Sequence, residues 1–225
     1  LSGQTKEPCV IYLHGFASGI GSTKARFFKT KFEQSGIDVA LPDLNVPTFE
    51  QMTFTSQLQI VEKEAARLGD DRPITLMGSS LGGLLATIAS QKLSHGHIKK
   101  LILLAPGFGI AGRWRETIGE EAMADWQQNG SKSFFHYAFG KDLNLAYSFI
   151  EDLGQYQTDA LRVDVPTLVF HGINDATVPV DKSREFSQLN ADLVQLKELE
   201  DGHELIASLP AMWQDVERFL QISPR

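Results

Sequence analysis

The sequence predicts an α/β protein: a mainly parallel sheet of about six strands with helices on both faces. Two observations carry that expectation. Short apolar runs alternate with segments of helical period along most of the chain. The runs are continuous rather than every-other-residue, as strands buried on both faces require. A third observation qualifies the picture, because residues 107–160 break the alternation and read as an insertion. With 225 residues, 42% of them hydrophobic, the chain can bury one substantial core, so a single domain over 1–225 carrying that insertion is expected.

Taken in order, Cys9-Val10-Ile11-Tyr12-Leu13 is the first strand, with only eight residues ahead of it. A helix follows from about Ser22 to Ser35 and is stopped by Gly36. The second strand occupies 37–41. Thr55 begins a second helix that places Leu58, Val61, Ala65 and Leu68 on one face and ends at Gly69. The third strand, 74–78, runs into a glycine-flanked turn and a buried helix containing Leu84, Leu85, Ile88 and Ala89. Strands at 100–105, 166–171 and 193–199 complete the sheet. Asp181 is the expected cap of a helix holding Phe186 and Leu189. The last helix, from about Pro210, buries Trp213, Val216 and Leu220.

The insertion shows no convincing strand but several short helical patterns, such as Leu143, Ala146, Tyr147, Ile150 and Leu153 before Gly154. It holds ten of the chain's 21 aromatic residues, so it is built to bury or bind apolar surface. It follows the strand ending at Ala105-Pro106, and would stand over the carboxyl ends of the strands, where open α/β sheets bind ligands. A helical cap over residues 107–160 is therefore expected. The alternative is a helical excursion packed on the core with no contact to substrate.

Composition narrows the function. A net charge of −7 and a pI near 5.4 argue against nucleic acid or an anionic membrane surface as main partner. Cys9, the only cysteine, lies in an apolar strand as an inert thiol, which leaves no disulfide framework and no cysteine-based metal cluster. No apolar run approaches the roughly 18 residues of a membrane span, and no signal peptide is visible, so a cytoplasmic location is expected.

The most informative stretch is Gly78-Ser79-Ser80-Leu81-Gly82, between the strand Ile74–Met77 and the helix that follows. A serine in G-x-S-x-G at such a junction is a nucleophile elbow. Strand and helix nearly touch two residues either side of the nucleophile, so a Cβ there would clash. The frame selects Ser80, because Ser79 would need a glycine where Met77 stands. A serine hydroxyl needs a base to take its proton, and the base needs an acid to orient it, in the order Ser, Asp/Glu, His. Asp175 lies in a loop directly after the strand that ends near His171. His203 lies after the final strand, where Gly202 would let the loop bend back over the serine. Asp201 is too close in sequence to reach the far side of that imidazole. His171 reads as structural, and His95, His97 and His136 as surface or cap residues.

Two backbone N–H groups would hold the oxyanion: Leu81, after the nucleophile, and Phe16, in His14-Gly15-Phe16 after the first strand. The glycine-rich stretch Ala17–Lys24 lacks the Gly-Lys-Ser/Thr of a P-loop and the third glycine of a dinucleotide fingerprint, so it reads as a rim. No cofactor and no metal are expected, since no ligand spacing of the His-Glu-x-x-His kind occurs.

His14-Gly15-Phe16-Ala17-Ser18 and Gly78-Ser79-Ser80-Leu81-Gly82-Gly83 together resemble the α/β-hydrolase superfamily, over essentially the whole chain outside the cap. They are most similar to its compact bacterial esterase-like serine hydrolases, which pair an H-G-F-x-S opening with G-x-S-x-G-G. The opening antiparallel strands of larger hydrolases are not expected among these residues, a departure from that pattern. The resemblance implies an α/β-hydrolase fold and hydrolysis of a carboxylic ester or thioester through an acyl-enzyme. The aromatic cap suggests a small-molecule substrate with an apolar or aromatic acyl or alcohol group. Arg113 and Arg115 are candidates to meet a substrate carboxylate, against the plainer reading of solvated arginines. Rival readings are a C–C hydrolase, peptidase or lyase with the same triad, or a non-catalytic relative that binds small molecules. The residues do not specify an oligomeric state.

Overall fold

The structure, a computed structural model, describes residues 8–69, 72–93 and 97–222. In chain order its elements are β1 (Cys9–Leu13), α1 (Thr23–Gln34), β2 (Asp38–Ala40), α2 (Phe54–Leu68), β3 (Ile74–Ser79), α3 (Leu81–Lys92) and β4 (Ile98–Leu104). Then come α4 (Ile110–Ile118), α5 (Glu120–Asn129), β5 (Ser131–His136), β6 (Lys141–Ala146) and α6 (Ser148–Leu153). The chain finishes with β7 (Thr167–Gly172), α7 (Asp181–Leu189), β8 (Val194–Leu199) and α8 (Leu209–Leu220).

Six strands form one parallel sheet in the order β2-β1-β3-β4-β7-β8. All six lie where the apolar runs place them. The sheet is covered on both faces, and the pleat sorts β1 between the two layers: Cys9, Ile11 and Leu13 face one core, Val10 and Tyr12 the other. The second core packs α1 and α8 through Phe28, Phe32, Met212 and Trp213. The first packs α2 and α3, and it runs without a break into the insertion through Phe108, Trp126, Leu145 and Phe149.

Local chemistry sets the helix starts. Ser22 caps α1 by accepting the Ala25 N–H. Thr53 and Ser56 form a reciprocal capping box on α2. Asp181 is the first residue of α7 and not its cap; its carboxylate faces Arg184, 2.9 Å away.

Within 107–160 the structure departs from the all-helical expectation. Helices α4, α5 and α6 are present, but β5 and β6 form an antiparallel hairpin, with Phe134 opposite Leu143 and Lys132 opposite Leu145. The sequence carries the reason. Lys132, Phe134 and His136 turn inward while Ser131, Ser133 and Phe135 are exposed, the period-2 pattern of a half-buried strand. Gly140, at φ 63°, supplies the left-handed residue that closes the turn. The i, i+3 spacing from Leu143 to Ala146 imitates a helix that starts only at Ser148.

Candidate active site

Ser80 is held at the junction of β3 and α3 with φ 53° and ψ −117°, a conformation that an L-residue adopts only when its surroundings enforce it. The surroundings are backbone. A Cβ on Gly78 would fall on the Gly82 carbonyl, and one on Gly82 would fall on the carbonyls of Leu13 and His14. The Ser80 amide donates to Leu104 O at 2.9 Å, and its carbonyl accepts from the Gly107 amide at 2.8 Å. The elbow is thereby tied to the strand on one side and to the base of the insertion on the other.

The structure brings the three predicted side chains together. His203 Nε2 lies 3.0 Å from Ser80 Oγ, and His203 Nδ1 lies 2.7 Å from Asp175 Oδ2. The carboxylate can only accept, so Nδ1 carries the hydrogen and Nε2 of the neutral ring is free to take the serine proton. The Asp175 side chain is wholly buried, whereas that of His203 is 15% exposed, so solvent reaches the imidazole and not its acid. Burial alone would raise the Asp175 carboxyl. Hydrogen bonds from His171, His203 and the Val178 amide, with the His203 charge, outweigh it and hold the group well below the usual carboxylate range.

The loop that carries His203 is shaped by Asp201, which accepts from the amides of Gly202 and Ser208 and from the Ser208 hydroxyl. Beyond it, Lys24 reaches Glu204 at 3.4 Å. Burial lowers the Lys24 ammonium, and the Glu204 carboxylate opposes that shift. Gly202 does not perform the task the sequence suggests, since a Cβ there would find only ordinary contact with Asn174 O at 3.9 Å. The glycine that the approach requires is Gly172, where a Cβ would fall on the carbonyls of Asp201 and Gly202.

The loop after β1 lies against the elbow: a Cβ on Gly15 would stand 3.3 Å from Ser79 O and 3.4 Å from Ser80 Cβ. His14 is buried and fixes this loop from behind. Its Nε2 accepts the Leu44 N–H at 3.0 Å, so Nδ1 carries the hydrogen given to Gly15 O at 2.9 Å. The amides of Phe16 and Leu81 belong to the two segments that flank Ser80. Phe16 puts its ring into the insertion, 5.1 Å from Trp114, 5.2 Å from Phe134 and 5.4 Å from Phe49. The sequence marked Phe16 only for its amide; nothing in its spacing shows the ring as the hub of this cluster.

Other predicted groups fall elsewhere. Arg113 donates to Phe108 O at 3.2 Å and to Thr177 O at 2.7 Å, bridging α4 to the loop that carries Asp175. Arg115 turns to Glu120 at 3.1 Å, on the exposed surface. His136 is a buried residue of the hairpin, with its ring stacked on Phe139. His97 stands just before β4, and His95 lies outside the described residues. A cavity of about 320 Å³ between the end of the insertion and α7 is lined by Phe108, Leu161, Phe186 and Leu189, but by none of Ser80, Asp175 and His203. Among the described residues, no three His, Cys, Asp or Glu side chains converge to hold a metal ion, and no helix is long and apolar enough to cross a membrane.

Sheet order, elbow and strand-end loops together define the α/β-hydrolase fold. The sequence profile of the Uncharacterised protein family (UPF0227) matches residues 9–219, and the chain belongs to that family. A search of curated protein sequences gives no match. Among solved structures, Est1E from Butyrivibrio proteoclasticus with ferulic acid bound is similar at a TM-score of 0.79 and 21% identity, over 97% of this chain and 90% of that one. Mouse alpha/beta hydrolase domain-containing protein 10 aligns at 0.73 and 19% identity, over 97% and 91% of the two chains. The Pyrococcus furiosus esterase Pf2001, in its C2221 crystal form, aligns at 0.68 and 18% identity, over 96% of this chain and 81% of that one.

Proposed function

We propose that the protein is a serine hydrolase that cleaves a carboxylic ester or thioester through an acyl-enzyme. The observation that carries this reading is the continuous hydrogen-bonded chain from Ser80 Oγ through His203 to the buried Asp175. Ser80 Oγ attacks the acyl carbon as His203 Nε2 takes its proton, and Asp175 stabilises the imidazolium that forms. The Phe16 and Leu81 amides hold the oxyanion, assisted by the amino end of α3. Collapse expels the alcohol or thiol, which takes the proton from His203. Water then gives His203 a proton and attacks the acyl carbon, and Ser80 leaves with that proton to free the acid.

The substrate proposed is a small acyl compound with an apolar or aromatic group. Half-buried Phe16, Trp114 and Phe134 meet beside the oxyanion loop, and the insertion that supplies two of them is read as a cap. The ferulic acid on Est1E is an aromatic acid on a neighbour of the same fold. A cytoplasmic setting agrees with a single buried cysteine that needs no oxidising compartment. The test is kcat/KM for matched p-nitrophenyl esters, aryl thioesters and anilides, acetyl against benzoyl. Ester or thioester turnover that favours benzoyl and is lost in Ser80→Ala supports the reading. Faster anilide cleavage, or binding without turnover, contradicts it.

A further inference from the structure

Asp175 is gripped by a second histidine, which the reaction above does not use. His171, in β7, is completely buried. Its Nε2 lies 2.9 Å from Val178 O and 3.1 Å from Asp175 Oδ2, and its Nδ1 lies 2.7 Å from Ser183 Oγ on α7. Both neighbours of Nε2 are acceptors, so Nε2 carries a hydrogen in either charge state of the ring; it donates that hydrogen to Val178 O and stands within ion-pair distance of Asp175 Oδ2, while the Ser183 hydroxyl can give or take at Nδ1. Asp175 Oδ1 accepts the Thr177 and Val178 amides, each at 2.8 Å. The carboxylate therefore has two N–H neighbours on each oxygen, and His171 is the one that comes from the sheet.

That origin matters for geometry. Asp175 rides on a loop whose residues Ile173, Asn174, Ala176 and Thr177 are exposed. Its two backbone donors move with that loop, and His203 stands on another loop after β8. His171 is anchored in the ladder between β4 and β8, and Ser183, itself buried, locks the ring from α7. A donor on a strand, backed by a helix, restrains the carboxylate in a way that loop donors cannot.

We propose that His171, backed by Ser183, is the positioning residue for Asp175, its Nε2 aiming Oδ2 at His203 Nδ1 through their 3.1 Å contact and holding the loop through Val178 O. This rests on the serine-hydrolase reading. His171 touches neither substrate nor the reacting atoms, so its removal acts on kcat through the orientation of His203 and leaves KM alone. A misplacement of about 1 Å costs up to about a hundredfold in rate.

The experiment compares wild type with His171→Phe, His171→Gln and Ser183→Ala. It reads kcat and KM on an activated aryl ester and the rate of labelling by a fluorophosphonate, with a melting curve for each protein. His171→Phe fills the ring's volume without its donor and is expected to lose about tenfold or more in kcat and in labelling rate, at unchanged KM. His171→Gln, whose amide N–H reaches about where Nε2 stands, is expected to regain most of that loss. A folded His171→Phe at wild-type rates overturns the proposal, as does a Gln variant no better than Phe or a loss confined to KM. Should His171→Phe not fold, Ser183→Ala decides: lower kcat at unchanged KM supports the proposal, and wild-type kcat overturns it. Wild type that neither labels nor turns over refutes the hydrolase reading itself, a result distinct from all of these.

Discussion

At Ser80 the backbone is strained and the neighbouring glycines bear the consequence, because two L-residue Cβ atoms would overlap backbone carbonyls. Gly78→Ala is therefore expected to remove folded protein or to lower stability by more than about 1–3 kcal/mol, the usual cost of overpacking. Soluble yield and a melting curve check it. Asp175 gives a second residue-level prediction. Its folded value lies below the roughly 3.9 of an unfolded aspartate. Its stabilisation is thus present above that pH and is lost as pH falls through the folded value. Down to about pH 4 this carboxylate stays ionised, so it should add no proton to the acid limb of kcat/KM, which should fall with a slope of one. A slope of two would contradict the assignment. That Ser80, Asp175 and His203 would meet was legible because each sits just past a strand, where the fold exposes side chains. Gly172 was not, since its need arises from Asp201 approaching across 29 positions of sequence.

Among the elements, the hairpin of the insertion is the one the sequence hid. Its tip is tied to the rim by the Tyr137 amide, which donates to Ala17 O at 2.8 Å. His136 beneath it donates from Nε2 to Asn45 Oδ1 at 3.4 Å, and its Nδ1 has no hydrogen-bond partner among the described residues. Burial lowers the pKa of this ring, the His14 charge adds to that, and Asp43 and Glu50 work against it. The folded value lies below the unfolded one of about 6.5, so the hairpin is most stable above that pH and loosens as pH falls through the folded value. Hydrogen-exchange protection over 131–146, taken relative to the intrinsic rate at each pH, should fall as the pH drops below the free imidazole value, and should fall less in His136→Phe. At the other end, Asp152 accepts the Thr55 amide and hydroxyl at 2.7 Å and 2.6 Å, placing a carboxylate on the amino end of α2. Asp152→Asn should cost about 1 kcal/mol by chemical denaturation.

Across the whole molecule, the core on the α2 and α3 side passes from sheet to insertion with no boundary between them. Trp126 and Phe149 are buried there, and Trp126 Nε1 donates to Leu145 O at 2.9 Å. Either residue changed to Ala should cost about 3–5 kcal/mol and lower one shared transition, not open the insertion alone. Coincident near- and far-ultraviolet circular dichroism melts would show this. The parallel sheet was readable in full because continuous apolar runs have few other uses in a chain of this size. The docking of the insertion was not, because contacts such as Phe16 with Trp114 join residues far apart whose spacing carries no period.

The central claim is an activated Ser80. Its most direct test is the intact mass of wild-type and Ser80→Ala protein after exposure to a fluorophosphonate. A single adduct is expected on the wild type and none on the variant. An adduct on both, or on neither, would contradict that claim.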